Sequence, residues 1–494
     1  LRYDVCVIGA GTEGLAAAAI LAKAGLKVVA VERAEQPGGR CHTREFHPGF
    51  RASPFSDEMA PIPAELFWSL GLAKAGAIFA PPPASLALWP DSSEMLDRAT
   101  LAALDGPIDE LRGAALAHAM EEGQRTPARG SRILSRTAEP APWPGIDLGD
   151  AALAEELAGA VHKESTRAHL MARALEGRTV DPFLFGSALH LIAPGHGGSG
   201  IAIGGMDRLA TGLADTARAA GADLRCGIDV ADIRRERERV CGITLADGTD
   251  FVTGAVISTL DVKRTFLSFF QWNALAPEVS RAVSAYRFCG STARLLIALD
   301  AAPDLSRTGL PEAARCPIHV APDIQDFAFA HAARRGGTIA EKLPMVARIV
   351  SAADPLLAPI GAATMTLTIG SIPHRLFDGA WTHEKRYTLR DRALAVLENA
   401  IPGTMARIRH VETIVPPDIE EQLGATEGDL WGGEIAADQM FDFRPGFATN
   451  SPRTPIDGLY LAGPSVSAGI LASCVSGAAA ALAVLADRKA GLLR

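Results

Sequence analysis

Residues Tyr3 to Gly14 read YDVCVIGAGTEG, and the fold follows from how that stretch continues. YDVCVI is a short, mostly apolar run with β-branched residues, so it reads as a strand. Gly9, Gly11 and Gly14 come next, then an Ala/Leu-rich helical run from Leu15 to Ala24, then Gly25 and a second apolar run, Lys27 to Val31, that ends in Glu32. The order is strand, glycine turn, helix, strand, acid. Gly9 permits the tight turn, Gly11 lets the backbone approach a pyrophosphate, and Gly14 lets the helix lie against the sheet. The free N–H groups of the helix start face an anion. Glu32, followed by Arg33, stands about 20 residues beyond the glycines, where a carboxylate accepts hydrogen bonds from a ribose hydroxyl pair. It also repels a 2′-phosphate, which favours an unphosphorylated adenosine ribose. Glycine turns also serve purely structural βαβ units; the flanking strand, helix and acid weigh against that reading here.

Pro37-Gly38-Gly39-Arg40, with Thr43 just beyond, adds a second glycine turn that carries an arginine. An NAD site has no need of it, and the alternative is an exposed turn with a solvated Arg. The stretch resembles the GG-R-x-x-T element of FAD enzymes with the glutathione reductase type of fold, including the amine oxidases and phytoene desaturases. That resemblance implies FAD as cofactor, with Gly39 and Arg40 running beside its pyrophosphate.

Other segments carry the same resemblance. Phe46 to Met59 (FHPGFRASPFSDEM) is similar to the family's PGFRFDxGGH segment in front of the flavin ring, with Phe55 and Ser56 where a glycine pair is usual. Gly204-Gly205-Met206, closing the run His196 to Met206, a helical run from Asp207 to Ala220, the strand Ala222 to Arg225 and Val230 resemble the second FAD-binding segment; an ordinary β-meander is the other reading. Gly428 to Pro445 resembles the phytoene desaturase-like group, with Trp431 or Gly432 near the place where relatives carry histidine. Trp431 is therefore a candidate for the flavin face with Phe55 and Ser56, or a buried packing residue. Thr454 to Gly463 reads as a D-G turn and strand, followed by a helix from about Ile470 to Leu485. In the family this element carries the flavin, which implies contacts from Gly463, Gly469, Ile470 and Leu471, with the helix dipole favouring the negative charge that arrives on hydride uptake.

Size and composition set wider bounds. The chain of 494 residues is long enough for two or three domains, and 48% apolar with 21% charged residues is ordinary for a globular protein. A net charge of −9 and no basic stripe argue against a nucleic-acid partner. Arg234 to Arg239 (RRERER) alternates sign and reads as a solvated strand end or hairpin. Seven scattered cysteines without a C-x-x-C pair indicate reduced thiols and a cytoplasmic setting. His319, His331, His374 and His383 form no cluster, and no metal is expected. The early dinucleotide motif leaves no room for a signal peptide, and no apolar run of about 20 residues appears. Peripheral membrane contact and a homodimer are both left open.

These readings combine into an α/β protein. A Rossmann-like FAD-binding domain, a parallel sheet with helices, is assigned residues 1–74, 196–262 and 426–494. An α+β substrate domain with an antiparallel sheet takes 75–195 and 263–425. Within it, the stretch between the breakers Pro81-Pro82-Pro83 and Pro140 to Gly145 is read as a largely helical insertion. The resemblance implies an FAD-dependent oxidoreductase, phytoene desaturase-like, moving hydride between a small, largely apolar substrate (polyene, isoprenoid or fatty acyl) and flavin N5, by desaturation, saturation or isomerisation. The alternatives are an amine or amino-acid oxidase using dioxygen, and a protein that retains FAD without turnover. No side-chain base stands out, and Lys342 cannot be assigned to the lysine that many amine oxidases place near N5.

Overall fold

The computed structural model describes residues 1–58, 60–125, 146–193, 200–271, 274–445, 447 and 451–493. Pro140 to Gly145 and the first four residues of the His196 to Met206 run lie outside them. The opening stretch folds as its sequence dictates. Val5–Ile8 is fully buried and pairs in parallel with Val28–Val31, and the intervening helix is Thr12–Lys23. A five-stranded parallel sheet results, in the order Leu459–Leu461, Val256–Ser258, Val5–Ile8, Val28–Val31, Asp223–Arg225. Four of its strands are short, fully buried, largely apolar runs because both faces are covered, while the edge strand Asp223–Arg225 is polar and only partly buried. On one face the first helix packs against the last, Val475–Lys489, through Ala16 to Ala19 and Ala480, Ala481 and Ala483, all fully buried. Alanine at these positions lets the two backbones come close.

Val230–Glu236, Arg239–Leu245 and Asp250–Val252 form a three-stranded antiparallel sheet, so the alternating-charge stretch Arg234 to Arg239 lies in a hairpin as expected. The larger second sheet has seven strands, centred on Ala293–Leu299, Ala363–Ile369 and Met345–Arg348, with Ile408–Ile414 at one edge. His383–Ala400 packs on it through Leu389, Ala393 and Leu397.

Two expectations need correction. The stretch after Pro81-Pro82-Pro83 does not begin as a helical insertion. Ala84–Leu88 and Ser93–Asp97 form a hairpin that joins the seven-stranded sheet, Ala84–Leu88 pairing in parallel with Ile318–Val320. Only then does the helix Arg98–Gln124 begin, capped by the Asp97 carboxylate on the Thr100 N–H. The closing helix is also not continuous: Ser467–Leu471 and Val475–Lys489 are separated by residues 472–474, of which Cys474 has a left-handed φ of 68°.

Two buried histidines make stability depend on pH. Burial holds His190 well below the usual imidazole pKa, helped by the nearby Arg178 guanidinium, and burial also lowers His169. The unfolded chain takes up these protons first as pH falls below about 6.5. Stability is therefore expected to be full above that pH and to be lost toward acid at up to about 1.4 kcal/mol per pH unit for each ring. Urea midpoints between pH 5 and 8 test this; a His190→Asn variant should show the shallower slope.

Candidate functional site

A cavity of about 590 Å³ lies at the carboxyl ends of the parallel strands and is bounded on its far side by the seven-stranded sheet. This is where open α/β sheets bind ligands, and the volume is in the range of cofactor sites. One end is built from the opening motif. Gly9 and Gly11 line it; Gly9 has a φ of 92°, and a side chain there would meet Thr259 Oγ1 at 2.2 Å. The helix Thr12–Lys23 starts here with no side-chain cap, which leaves its first N–H groups for an anion. The Glu32 carboxylate lies on the wall, held by the N–H groups of Ala10 (2.8 Å) and Ala34 (2.9 Å). Arg33 stands beside it, its guanidinium donating to the carbonyls of Glu421 and Gln422.

The second glycine turn lies directly on the first. Gly38 N–H donates to Ala10 O at 2.9 Å, and a Cβ on Gly39 would come within 3.2 Å of Gly11 Cα. Arg40, on the wall, donates to Leu430 O at 2.6 Å; burial lowers its pKa, while the carboxylates of Glu13 and Asp429 work against that shift. Met206 and Val230 also line the cavity, and Met206 N–H is fixed by Thr43 Oγ1 at 2.8 Å. At the other end Gly463, Gly469 and Ile470 complete the wall.

Three residues expected to touch the cofactor stand off this wall. A side chain on Gly14 would meet the Gly9 carbonyl at 2.0 Å, so this glycine serves the helix–strand approach. Gly205 lines a small separate pocket with Thr43, and Leu471 is fully buried in an apolar cluster with Ile192, Met440 and Phe441. The carboxylate of Glu13, a motif residue given no role in advance, accepts from Cys474 N–H (2.7 Å), Ser476 Oγ (2.8 Å) and Gly477 N–H (2.9 Å) at the start of the last helix.

Phe55, Ser56 and Trp431 all line the cavity, where Phe55 packs with Leu430 and Trp431, and Arg178 stacks over the Trp431 ring at 4.7 Å. Facing them is a charged wall that the sequence did not announce. Arg294, 1% exposed, holds Asp57 through two bonds of 2.7 and 2.8 Å and also donates to Ser53 O and Thr368 Oγ1. Arg348 holds both oxygens of Glu176 and reaches Glu58 through Nε at 3.2 Å. Burial raises the Glu58 pKa, against the pull of Arg348. The available signal was an arginine inside each of two apolar runs, Ala293 to Leu299 and Met345 to Val350, and an acid pair directly after Phe55-Ser56. Lys342 does not line the cavity: it is exposed and paired with Asp326 at 3.3 Å. Among the described residues no group of His, Cys, Asp and Glu is placed to hold a metal.

The cradle geometry agrees with what the chain is similar to. A model for an NAD(P)-binding Rossmann-like domain matches residues 7–73, and a model for flavin containing amine oxidoreductase matches residues 117–297. The chain is an FAD-dependent oxidoreductase, similar over the second matched segment to the flavin containing amine oxidoreductases. Over 99% of its length it is 27% identical to rat pyridine nucleotide-disulfide oxidoreductase domain-containing protein 2, covering 94% of that protein. A phytoene desaturase (lycopene-forming) from Paracoccus sp. is 28% identical over 59% of this chain and 56% of its own. Among solved structures, putrescine oxidase with bound putrescine superposes with a TM-score of 0.61 at 15% identity, covering 99% of both chains. An oxidoreductase from Methanosarcina mazei gives 0.59 at 18% identity, covering 99% of this chain and 100% of that one. At those identities the two structures speak for the fold alone.

Proposed function

We propose that this oxidoreductase transfers hydride between a substrate carbon and flavin N5 in the chamber between the Phe55–Trp431 side and the charged side of the cavity. The supporting observation is the continuity of one cavity from the Glu32 end, through both glycine turns, to that chamber. In this reading residues 1–74, 196–262 and 426–494 hold FAD and the rest shapes the substrate site. Glu32 would take the ribose, the uncapped helix start and Arg40 the pyrophosphate, and Gly463, Gly469 and Ile470 the flavin end. FAD when bound supplies the hydride acceptor or donor. The chain's own part is to orient the substrate carbon and exclude water.

Two substrate readings rest on different sides of the chamber. Phe55, Leu430 and Trp431 offer an apolar surface suited to a polyene, isoprenoid or fatty acyl chain, in line with the phytoene desaturase relative. The opposite side sets three carboxylates, Asp57, Glu58 and Glu176, against two guanidiniums, Arg294 and Arg348, and so forms a strongly polar wall. That favours a cationic or polar group beside the reacting carbon, as in an amine. Anaerobic addition of putrescine, an aromatic amine, a fatty acid and a polyene to the holoprotein separates them: the flavin band near ~450 nm should bleach with one class. Bleaching by none of them would remove both. The seven free cysteines are consistent with a reducing cytoplasm, and no helix among the described residues is long and apolar enough to cross a membrane.

A further inference from the structure

We infer that Glu13 is an electrostatic tuning residue: a buried negative charge, built into the glycine motif, that occupies the positive end of the last helix and makes the bound flavin harder to reduce. Glu13 is 9% exposed and lies on the wall of the same cavity as Gly463, Gly469 and Ile470. Burial raises the Glu13 pKa, but the Gly477 amide, the Ser476 hydroxyl and the Cys474 amide all donate to its two oxygens, and these three bonds, with the nearby Arg40, favour the carboxylate form. Ser476 Oγ donates to it and accepts from the Gly463 N–H at 2.8 Å, which links the charge to the strand end at the flavin side of the cavity.

The electrostatic consequence follows from the helix. Val475–Lys489 is long enough to carry a substantial dipole, equivalent to about half a positive charge at its start. Left open, that end would favour negative charge arriving on the flavin. With a carboxylate seated on it, the local field is reversed. Arg40 offsets part of this, since Glu13 is among the carboxylates that act on it. A residue with a purely structural role would also bond the two helices together, but would not need a charge.

The test rests on the FAD reading and uses the holoprotein. The two-electron midpoint potential of the bound flavin is measured by slow anaerobic reduction against a reference dye, in the wild type, Glu13→Gln and Ser476→Ala. E13Q removes the charge and should shift the reduction equilibrium about tenfold toward the reduced form, ~30 mV upward for a two-electron couple. S476A keeps the charge but removes one of its three donors, and should move the potential the other way. Loosening of the fold alone would move both in one direction. Unchanged potentials, or shifts of the same sign, would overturn the inference; if E13Q does not retain FAD, S476A decides it by itself. A wild type that takes up no flavin would instead defeat the FAD reading.

Discussion

An Arg294→Ala variant is expected to lose about 3–5 kcal/mol of stability, the cost of leaving one member of a buried ion pair without its partner. Arg294 is the second residue of Ala293–Leu299, a strand whose residues are all buried, and its guanidinium ties together Asp57, Ser53 O and Thr368 on the charged side of the chamber. Removing it strands the Asp57 carboxylate, which keeps only the Thr366 hydroxyl at 2.8 Å among those bonds. Replacing both partners with apolar residues of similar volume should cost much less, because no unpaired charge then remains. Urea midpoints of R294A, D57N and the double variant measure this. If R294A is as stable as the wild type, the pair does not hold the charged wall together.

A Gly14→Ala variant is expected to bind FAD at least ~5–150-fold more weakly, because overpacking a dense contact costs about 1–3 kcal/mol. The added methyl would lie 2.0 Å from the Gly9 carbonyl, so the first helix must move off the strand, taking its free N–H groups away from the anion they are placed to meet. The residue touches no part of the cavity, so a loss of affinity there reports helix position and not a missing contact. Flavin content after gel filtration and a titration of the apoprotein provide the measurement. Wild-type affinity in a folded G14A would mean that the helix start does not set the site.

The nucleotide end was legible because its signals are local. Strand, glycine turn, helix and acid fall within the first 32 residues, and each has a backbone or charge reason that one sequence can display. The charged side of the chamber was not, because its meaning depends on pairing. Arg294 and Asp57 are 237 positions apart, and nothing in either neighbourhood names the other. Ala84–Leu88 was missed for a related reason: its alanines, leucines and serine carry no β-branched residue, and only a parallel pairing with Ile318–Val320 makes it a strand. Glu13 was visible but mute, since in the motif it occupies a variable position. Its role appears only where Cys474, Ser476 and Gly477 return to meet it.

That return has a consequence for how the protein is made. The cradle's first wall and the groups that close it, the strand Leu459–Leu461 and the amides that bond Glu13, are made hundreds of residues apart; Glu13 and Cys474 are 461 positions apart. Until that segment emerges the parallel sheet lacks the strand Leu459–Leu461, and the Glu13 carboxylate lacks the three donors that bond it. A nascent chain is therefore expected to hold no flavin until the segment from Leu459 to Gly477 has emerged and then to acquire it as a nearly all-or-none event, so the supply of free FAD at that point governs how much of it matures.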